Sequence, residues 1–564
     1  MQNSYCNPIV FADYSDPDVI RVGDTFYMTA SSFNYTPGLP ILVSKDLVNW
    51  ELVNYALDNI GQDRFRIPRH SEGVWAPAIR FHEGMFYIYY GMPDEGYYVV
   101  RTKDPLGKWD EPVCILEGKG LIDPCPFWDE DGRAYIIHGY AKSRIGFKSI
   151  LGIFEMNPEG TKAISEDHFI FDGNDPEHPA ITIEGPKVYK RNGYYYILAP
   201  AGGVKHGWQV ALRSRNICGP YEIKTVMAQG NTVINGPHQG GLVDTGKGDE
   251  WFIHFQDRGL YGRICHLQPV NWNDDWPVIG ADPEGTGCGE PVYEHALPDC
   301  DNAQTSDTVG NLSPLQASDS FEGGQIGLQW QWMGDHSDDF CGRVFDEFGN
   351  PADGLRLFSR NPSGDREPII WRSANVLTQK LVYPVFRAET MVDVSGLEAG
   401  DRAGVCMMGG QYITAYIRRE TDGYYICVAE SEGSDADKKE TIIKELNFNE
   451  ICQSHKLNVG DAAKMLKFTM TFTYRDREFD SRELYFRNAD KPMFGENPSL
   501  YMEVGLYDAS GESIKEAGVT DLGVKFTPSD HTWVGAKLGI YALSGGQENT
   551  DGFADFKHFI VTQI

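Results

Sequence analysis

Three acidic residues in the first half of the chain stand in short proline-containing motifs: Asp16 in Ser15-Asp16-Pro17, Asp123 in Ile122-Asp123-Pro124, and Glu184 in Ile183-Glu184-Gly185-Pro186. A histidine occupies a comparable setting, His238 in Pro237-His238-Gln239-Gly240. Taken singly, Asp-Pro is an ordinary turn former, a glutamate is an ordinary solvated or ion-paired side chain, and a lone histidine is as readily a satisfied core residue as a functional one. Brought together, three carboxylates repel and raise one another's pKa, a cost that structure alone seldom demands. Cleavage of a glycosidic bond does demand it. One carboxylic acid must protonate the leaving oxygen while a carboxylate assists from the opposite face of the sugar, and a third can keep the acid protonated near neutral pH.

Something must gather these residues, and a repeat supplies it. Five times a polar turn with a glycine leads into a short aromatic and β-branched strand, at Gly23, Gly84, Gly132, Gly193 and Gly248. The intervals of 61, 48, 61 and 55 residues each suit one four-stranded sheet with its turns, which predicts a five-bladed β-propeller. Asp16, Ala76, Asp123, Glu184 and His238 precede those glycines by 7, 8, 9, 9 and 10 residues. The innermost strands of a propeller surround one axis, so equivalent positions at their entrances converge on one volume, here with three carboxylates and an imidazole.

Farther along, Phe468, Met470, Phe472 and Tyr474 alternate with Thr469, Thr471 and Thr473, the period of a strand with one buried face. Many such strands between Gly, Asp and Asn turns predict a β-sandwich, although the pattern does not give strand order. The fold class is therefore all-β: a propeller over residues 1–300, a linker over 301–320, and a jelly-roll sandwich over 321–564.

Composition narrows the partners. With 50 Lys+Arg against 81 Asp+Glu, the formal net charge of -31 repels phosphate backbones and anionic lipid, which argues against nucleic acid and membrane surfaces. A neutral sugar meets no such repulsion, and the 12 Trp, 29 Tyr and 29 Phe offer flat apolar faces to its C–H groups. The first Lys or Arg is Arg21 and no long apolar run follows it, so neither a signal peptide nor a membrane span is read. The 11 cysteines form no C-x-x-C pair and no metal-type spacing, which predicts free thiols and a cytoplasmic protein, or a periplasmic or secreted one if a signal peptide precedes this sequence. A homo-oligomer is compatible with all of this.

At these residues the chain resembles glycoside hydrolase family 43, the β-xylosidases and α-L-arabinofuranosidases built on a five-bladed propeller. The matching segments are Ser15 to Gly23, Ser44 to Trp50, Gly73 to Pro77, Ile122 to Pro124, Glu184 to Pro186, Gly262-Arg263 and Asp275 to Pro277. The resemblance implies Asp16 as general base, Glu184 as general acid, and Asp123 as the residue that modulates the acid and orients the substrate. It implies inversion, with Asp16 activating a water and the two carboxyl groups roughly 6.5 to 9.5 Å apart. Arg263, Phe33 and Trp75 then line the terminal-sugar pocket. His238 matches a histidine near a central cation, commonly calcium, which prefers oxygen ligands and would be reached through ordered water; the chemistry needs no cofactor.

The second half is similar to the concanavalin-like sandwich of many family-43 exo-enzymes, on Leu328 to Trp332 and Gly552 to Phe556. In relatives that sandwich closes one side of the site, and a pocket blocked at one end accepts a chain terminus. The implied activity is exo-acting, inverting release of non-reducing-terminal α-L-arabinofuranose or β-D-xylose from hemicellulose oligosaccharides. Residues Phe33 to Gly38 depart from the bulkier aromatic stretch of the best-known β-xylosidases, so the choice between the two sugars stays open. Three other readings compete: an endo-arabinanase, a non-catalytic carbohydrate-binding propeller, and a retaining fructan hydrolase, whose motif would be Asn-Asp-Pro.

Overall fold

The glycine turns join the first and second strands of five antiparallel four-stranded sheets. Glu83-Gly84 and Asn192-Gly193 have positive φ at both residues, the geometry of tight hairpins whose twist matches that of the strands they join. The computed structural model describes residues 4–300, 315–346, 348–474, 498–507 and 521–564. Each blade is made of four consecutive strands; their first strands are Asp18–Val22, Ala78–His82, Leu121–Trp128, Lys187–Arg191 and Gly240–Asp244. These first strands lie side by side from blade one to two, two to three, three to four, and five to one, and so ring a common axis. Apolar residues fill the wedges between blades, such as Ile79, Ile88 and Leu39 between blades one and two, or Ile137, Ile197 and Val188 between three and four. Among the described residues no strand is shared between first and last blades. Instead the start of the chain runs along blade five, with Val10 bridging Cys265 and Ser4–Cys6 pairing with Glu294–Ala296.

The second half packs two seven-stranded sheets face to face. The expected strands are present: Leu466–Thr473 buries Leu466, Phe468, Met470 and Phe472 while pairing with Phe386–Asp393 and Ser499–Leu506. Helices are short, the longest among the described residues being Phe448–Ser454, capped by the Asn447 side chain on the Glu450 N–H. Most of the expected linker, residues 301–314, lies outside the described residues; beyond it Asp319 already bridges Phe559 of the sandwich.

The two halves are joined by hydrogen bonds. Thr36 bridges Trp332, the Ala536 N–H donates to Leu260, and the Gly535 N–H donates to the Asp13 carboxylate. The eleven cysteines are free thiols, and no described helix is long and apolar enough to cross a membrane.

Candidate active site

Asp16, Asp123 and Glu184 each stand at the axial end of a first strand, in blades one, three and four. Asp16 and Asp123 share a left-handed backbone, φ 55 and 58, and Asp123 sits where the pairing of Leu121–Trp128 with Ala134–Tyr140 slips between Ile122 and Cys125. Aspartate tolerates this conformation better than most residues, and its recurrence turns both carboxylates out of their sheets. In blade four the left-handed residue is Gly185, φ 57, so Glu184 itself stays out of that region.

The three acids have different neighbours. Asp16 is buried and accepts hydrogen bonds at Oδ2 from Ser15 Oγ (2.6 Å) and Ser31 Oγ (2.7 Å). The buried guanidinium of Arg263 reaches Asp16 Oδ1 at 3.2 Å and Ser15 Oγ at 2.7 Å, and lies over the Phe255 ring. Asp123 Oδ2 accepts the Gly185 N–H at 2.8 Å, which ties it to the residue after Glu184. Gly139 fills the remaining gap: a Cβ there would stand 3.7 Å from Glu184 Cα and 3.8 Å from Asp123 Oδ2.

Burial raises the Asp123 pKa, and the Asp16 charge adds to it, against the Gly185 N–H and the cations Lys187 and Arg263. Glu184 is also raised far above the usual glutamate range, by enclosure first and then by Asp123 and Asp16. Its side chain is 29% exposed, so protein crowds it on most sides while one side stays open to solvent.

His238 Nε2 stands 3.5 Å from Glu184 Oε1. Burial, with Arg263 and His254 nearby, drives the His238 pKa well down, so the pair is a neutral imidazole beside a proton-holding carboxyl and not an ion pair. Neither ring nitrogen of His238 has a hydrogen-bond partner among the described residues. Among the described residues no three His, Cys, Asp or Glu side chains group as metal ligands. A calcium ion near His238 would therefore find no set of three such side chains to hold it, and the imidazole fits such an ion only through water.

Phe33 and Trp75 are buried together in a cluster that includes Ile122 and, from the sandwich, Trp371 and Val534. Trp533, in a sandwich loop, meets Trp75 edge-on at 4.6 Å. Phe33 and Trp533 both adopt left-handed backbone, φ 52 and 66, a strained state for bulky residues that is held by its surroundings and is frequent at binding sites. Ser31, Lys148 and Trp533 are neighbours of the site that no motif marks; Ser15 alone could have been found, because it adjoins Asp16.

Three carboxyl groups gathered at a propeller axis, beside an appended sandwich, make an arrangement suited to hydrolysis by proton transfer. The chain belongs to the glycosyl hydrolases of family 43. The model of that family matches residues 5–277, and that of the beta xylosidase C-terminal concanavalin A-like domain matches residues 318–486. A Xylanibacter ruminicola protein described as a candidate beta-xylosidase is 38% identical over 70% of this chain and 69% of its own. A non-reducing end alpha-L-arabinofuranosidase of Bacteroides ovatus is 33% identical over 50% of this chain and 54% of its own. Among solved structures, a bifunctional protein of Bacteroides eggerthii that combines family 43 with a second activity superposes with a TM-score of 0.74 at 26% identity, over 100% of this chain and 64% of that one.

Proposed function

We propose that this enzyme releases terminal β-D-xylose or α-L-arabinofuranose from hemicellulose oligosaccharides, one residue at a time and with inversion. Asp16 is the general base. It accepts a proton from a water that attacks the anomeric carbon as the glycosidic C–O bond breaks. Glu184 is the general acid and donates its proton to the leaving oxygen; solvent exchange then restores both carboxyls. Asp123 keeps Glu184 protonated by its charge and fixes its position through the Gly185 N–H.

The observation that carries this reading is the contrast at the axis: Asp16 sits among three donors, Glu184 beside a neutral imidazole and another acid. Carboxyls placed in opposite surroundings take opposite roles. Arg263 both holds Asp16 and supports the pocket for the terminal sugar, with Phe33, Trp75 and the sandwich residue Trp533 as its apolar wall. That wall is why we favour exo action over an endo-arabinanase. The domain division at residues 301–320 and a water-mediated cation at His238 belong to the same proposal.

Hydrolysis of aryl β-D-xylosides and aryl α-L-arabinofuranosides, with NMR of the first-formed anomer, tests it. An inverted monosaccharide is expected. A retained anomer would remove Asp16 as base, and release of oligomers before monomers from linear arabinan would remove the exo assignment.

A further inference from the structure

Blade three carries aromatic surface that neither the core nor the three acids explain. Phe169 is 63% exposed and Phe147 is 37% exposed, and both pack on the buried Tyr140 ring, at 5.4 and 5.1 Å, and on each other at 6.0 Å. The cluster is anchored from beneath. The Tyr140 hydroxyl donates to Asp167 Oδ2, and His138 Nε2 lies 3.0 Å from Asp167 Oδ1. Both side chains cross Gly152 on the third strand, where a Cβ would fall 2.3 Å from the Tyr140 oxygen and 2.8 Å from His138 Nε2. The missing side chain at Gly152 is what lets these rings bridge from the second strand toward the fourth, His168–Asp172, which bears Phe169.

This shelf starts at the acid. Tyr140 follows Gly139, which fits between Asp123 and Glu184. Lys148, next to Phe147, donates to Thr182 Oγ1 at 2.9 Å, two residues before Glu184, and its charge is felt by the Glu184 carboxyl. The leaving oxygen must meet Glu184, so the rest of the glycan departs on that side. Among the described residues the sandwich is bonded to loops of blade one (Asn34, Thr36), the entry to blade two (His70, Ser71) and blade five (Leu260, Tyr261), which leaves blades three and four as exits, and the shelf lies on blade three. At a strand spacing of about 4.8 Å, the fourth strand lies roughly 14 Å from the strand of Asp123, farther than the first leaving sugar extends.

We propose that Phe147 and Phe169 form a stacking shelf for sugars of the leaving chain beyond the first, so that this enzyme prefers longer oligosaccharides. The inference rests on Glu184 being the acid. Aromatic faces suit the C–H faces of neutral pentoses, and exposed apolar patches of this kind mark binding surfaces.

The test is the ratio of kcat/KM on a tetrasaccharide to that on a disaccharide, measured with β-xylo-oligosaccharides and with arabino-oligosaccharides. The wild type should favour the tetrasaccharide. Phe147→Ala with Phe169→Ala should lower that ratio about tenfold, with disaccharide turnover and inhibition by the free pentose unchanged. Phe169→Leu should lose the preference and Phe169→Trp should keep it, which separates a flat ring from mere bulk. A flat chain-length profile in the wild type, or an unchanged ratio in the double variant, overturns the shelf. Absence of turnover on every glycoside, aryl substrates included, would instead overturn the enzymatic reading on which it stands.

Discussion

Asp16 and Glu184 occupy equivalent places in blades one and four, yet the chain surrounds them in opposite ways. Around Asp16 stand two serine hydroxyls and an arginine, contributed by the preceding residue, the segment just after the second strand of blade one, and blade five. Around Glu184, blade five sets an unprotonated imidazole and blade three sets Asp123. A repeated scaffold thus supplies position, and the residues around each position supply its chemistry. In the proposed mechanism, blade symmetry is broken locally so that one carboxyl can act as base and the other as acid.

The sharpest way to break the contrast is to remove either member. Asp16→Ala should lower kcat by about three orders of magnitude, as loss of a positioned base does. Its melting temperature should fall as well, because Arg263, Ser15 and Ser31 lose a buried acceptor; Asp16→Asn keeps an acceptor and should lose turnover with a smaller fall, and full turnover in that variant would mark Asp16 as structural.

Glu184→Gln should lose about two to four orders of magnitude on oligosaccharides, and less on aryl glycosides whose leaving groups need no proton. It carries a second signature in stability. Folding raises the Glu184 pKa, so between the ordinary carboxylate range and that raised value the native state holds a proton that the unfolded chain releases. Stability therefore falls with rising pH across that interval. The glutamine variant should lack the decline, and denaturation midpoints measured from pH 4 to 9 should converge at the acid end; parallel curves would mean that Glu184 is not raised.

Asp123→Asn probes the coupling between the two environments. Removing its charge should let Glu184 ionise more easily, so the alkaline limb of the pH–rate profile should move to lower pH, with kcat reduced at the optimum. An unmoved limb would leave Asp123 only its bond to the Gly185 N–H.

The acids are legible in sequence because each adjoins a proline or Gly-Pro at a near-constant distance from a hairpin glycine, and a repeat converts that distance into a shared axis. The five blades follow from the same glycines, and sandwich strands such as Leu466–Thr473 from their alternation. Pairings between distant segments are not legible: Trp330–Trp332 with Val376–Lys380, or Phe386–Asp393 with Phe553–Gln563, depend on how whole sheets close. Arg263 could be placed near the sugar by resemblance, but its bond to Asp16 depends on blade five meeting blade one. Trp533 reaches Trp75 only because the sandwich docks on the propeller, and nothing local to its loop announces that contact.

Ser31 sharpens the comparison from its smallest member. It donates to Asp16 Oδ2 from just beyond the second strand of blade one and has no counterpart at Glu184 among the described residues. One hydrogen bond to a charged acceptor contributes about 1.5 to 3 kcal/mol, and here it acts only by orienting the base. Ser31→Ala should therefore reduce kcat by about tenfold, by the scale of 1.4 kcal/mol per decade, while KM stays near its wild-type value. Ser31→Thr keeps the hydroxyl and should restore most of the rate. If alanine raises KM and leaves kcat intact, Ser31 shapes the sugar pocket instead, and the donor set that distinguishes Asp16 from Glu184 shrinks to Ser15 and Arg263.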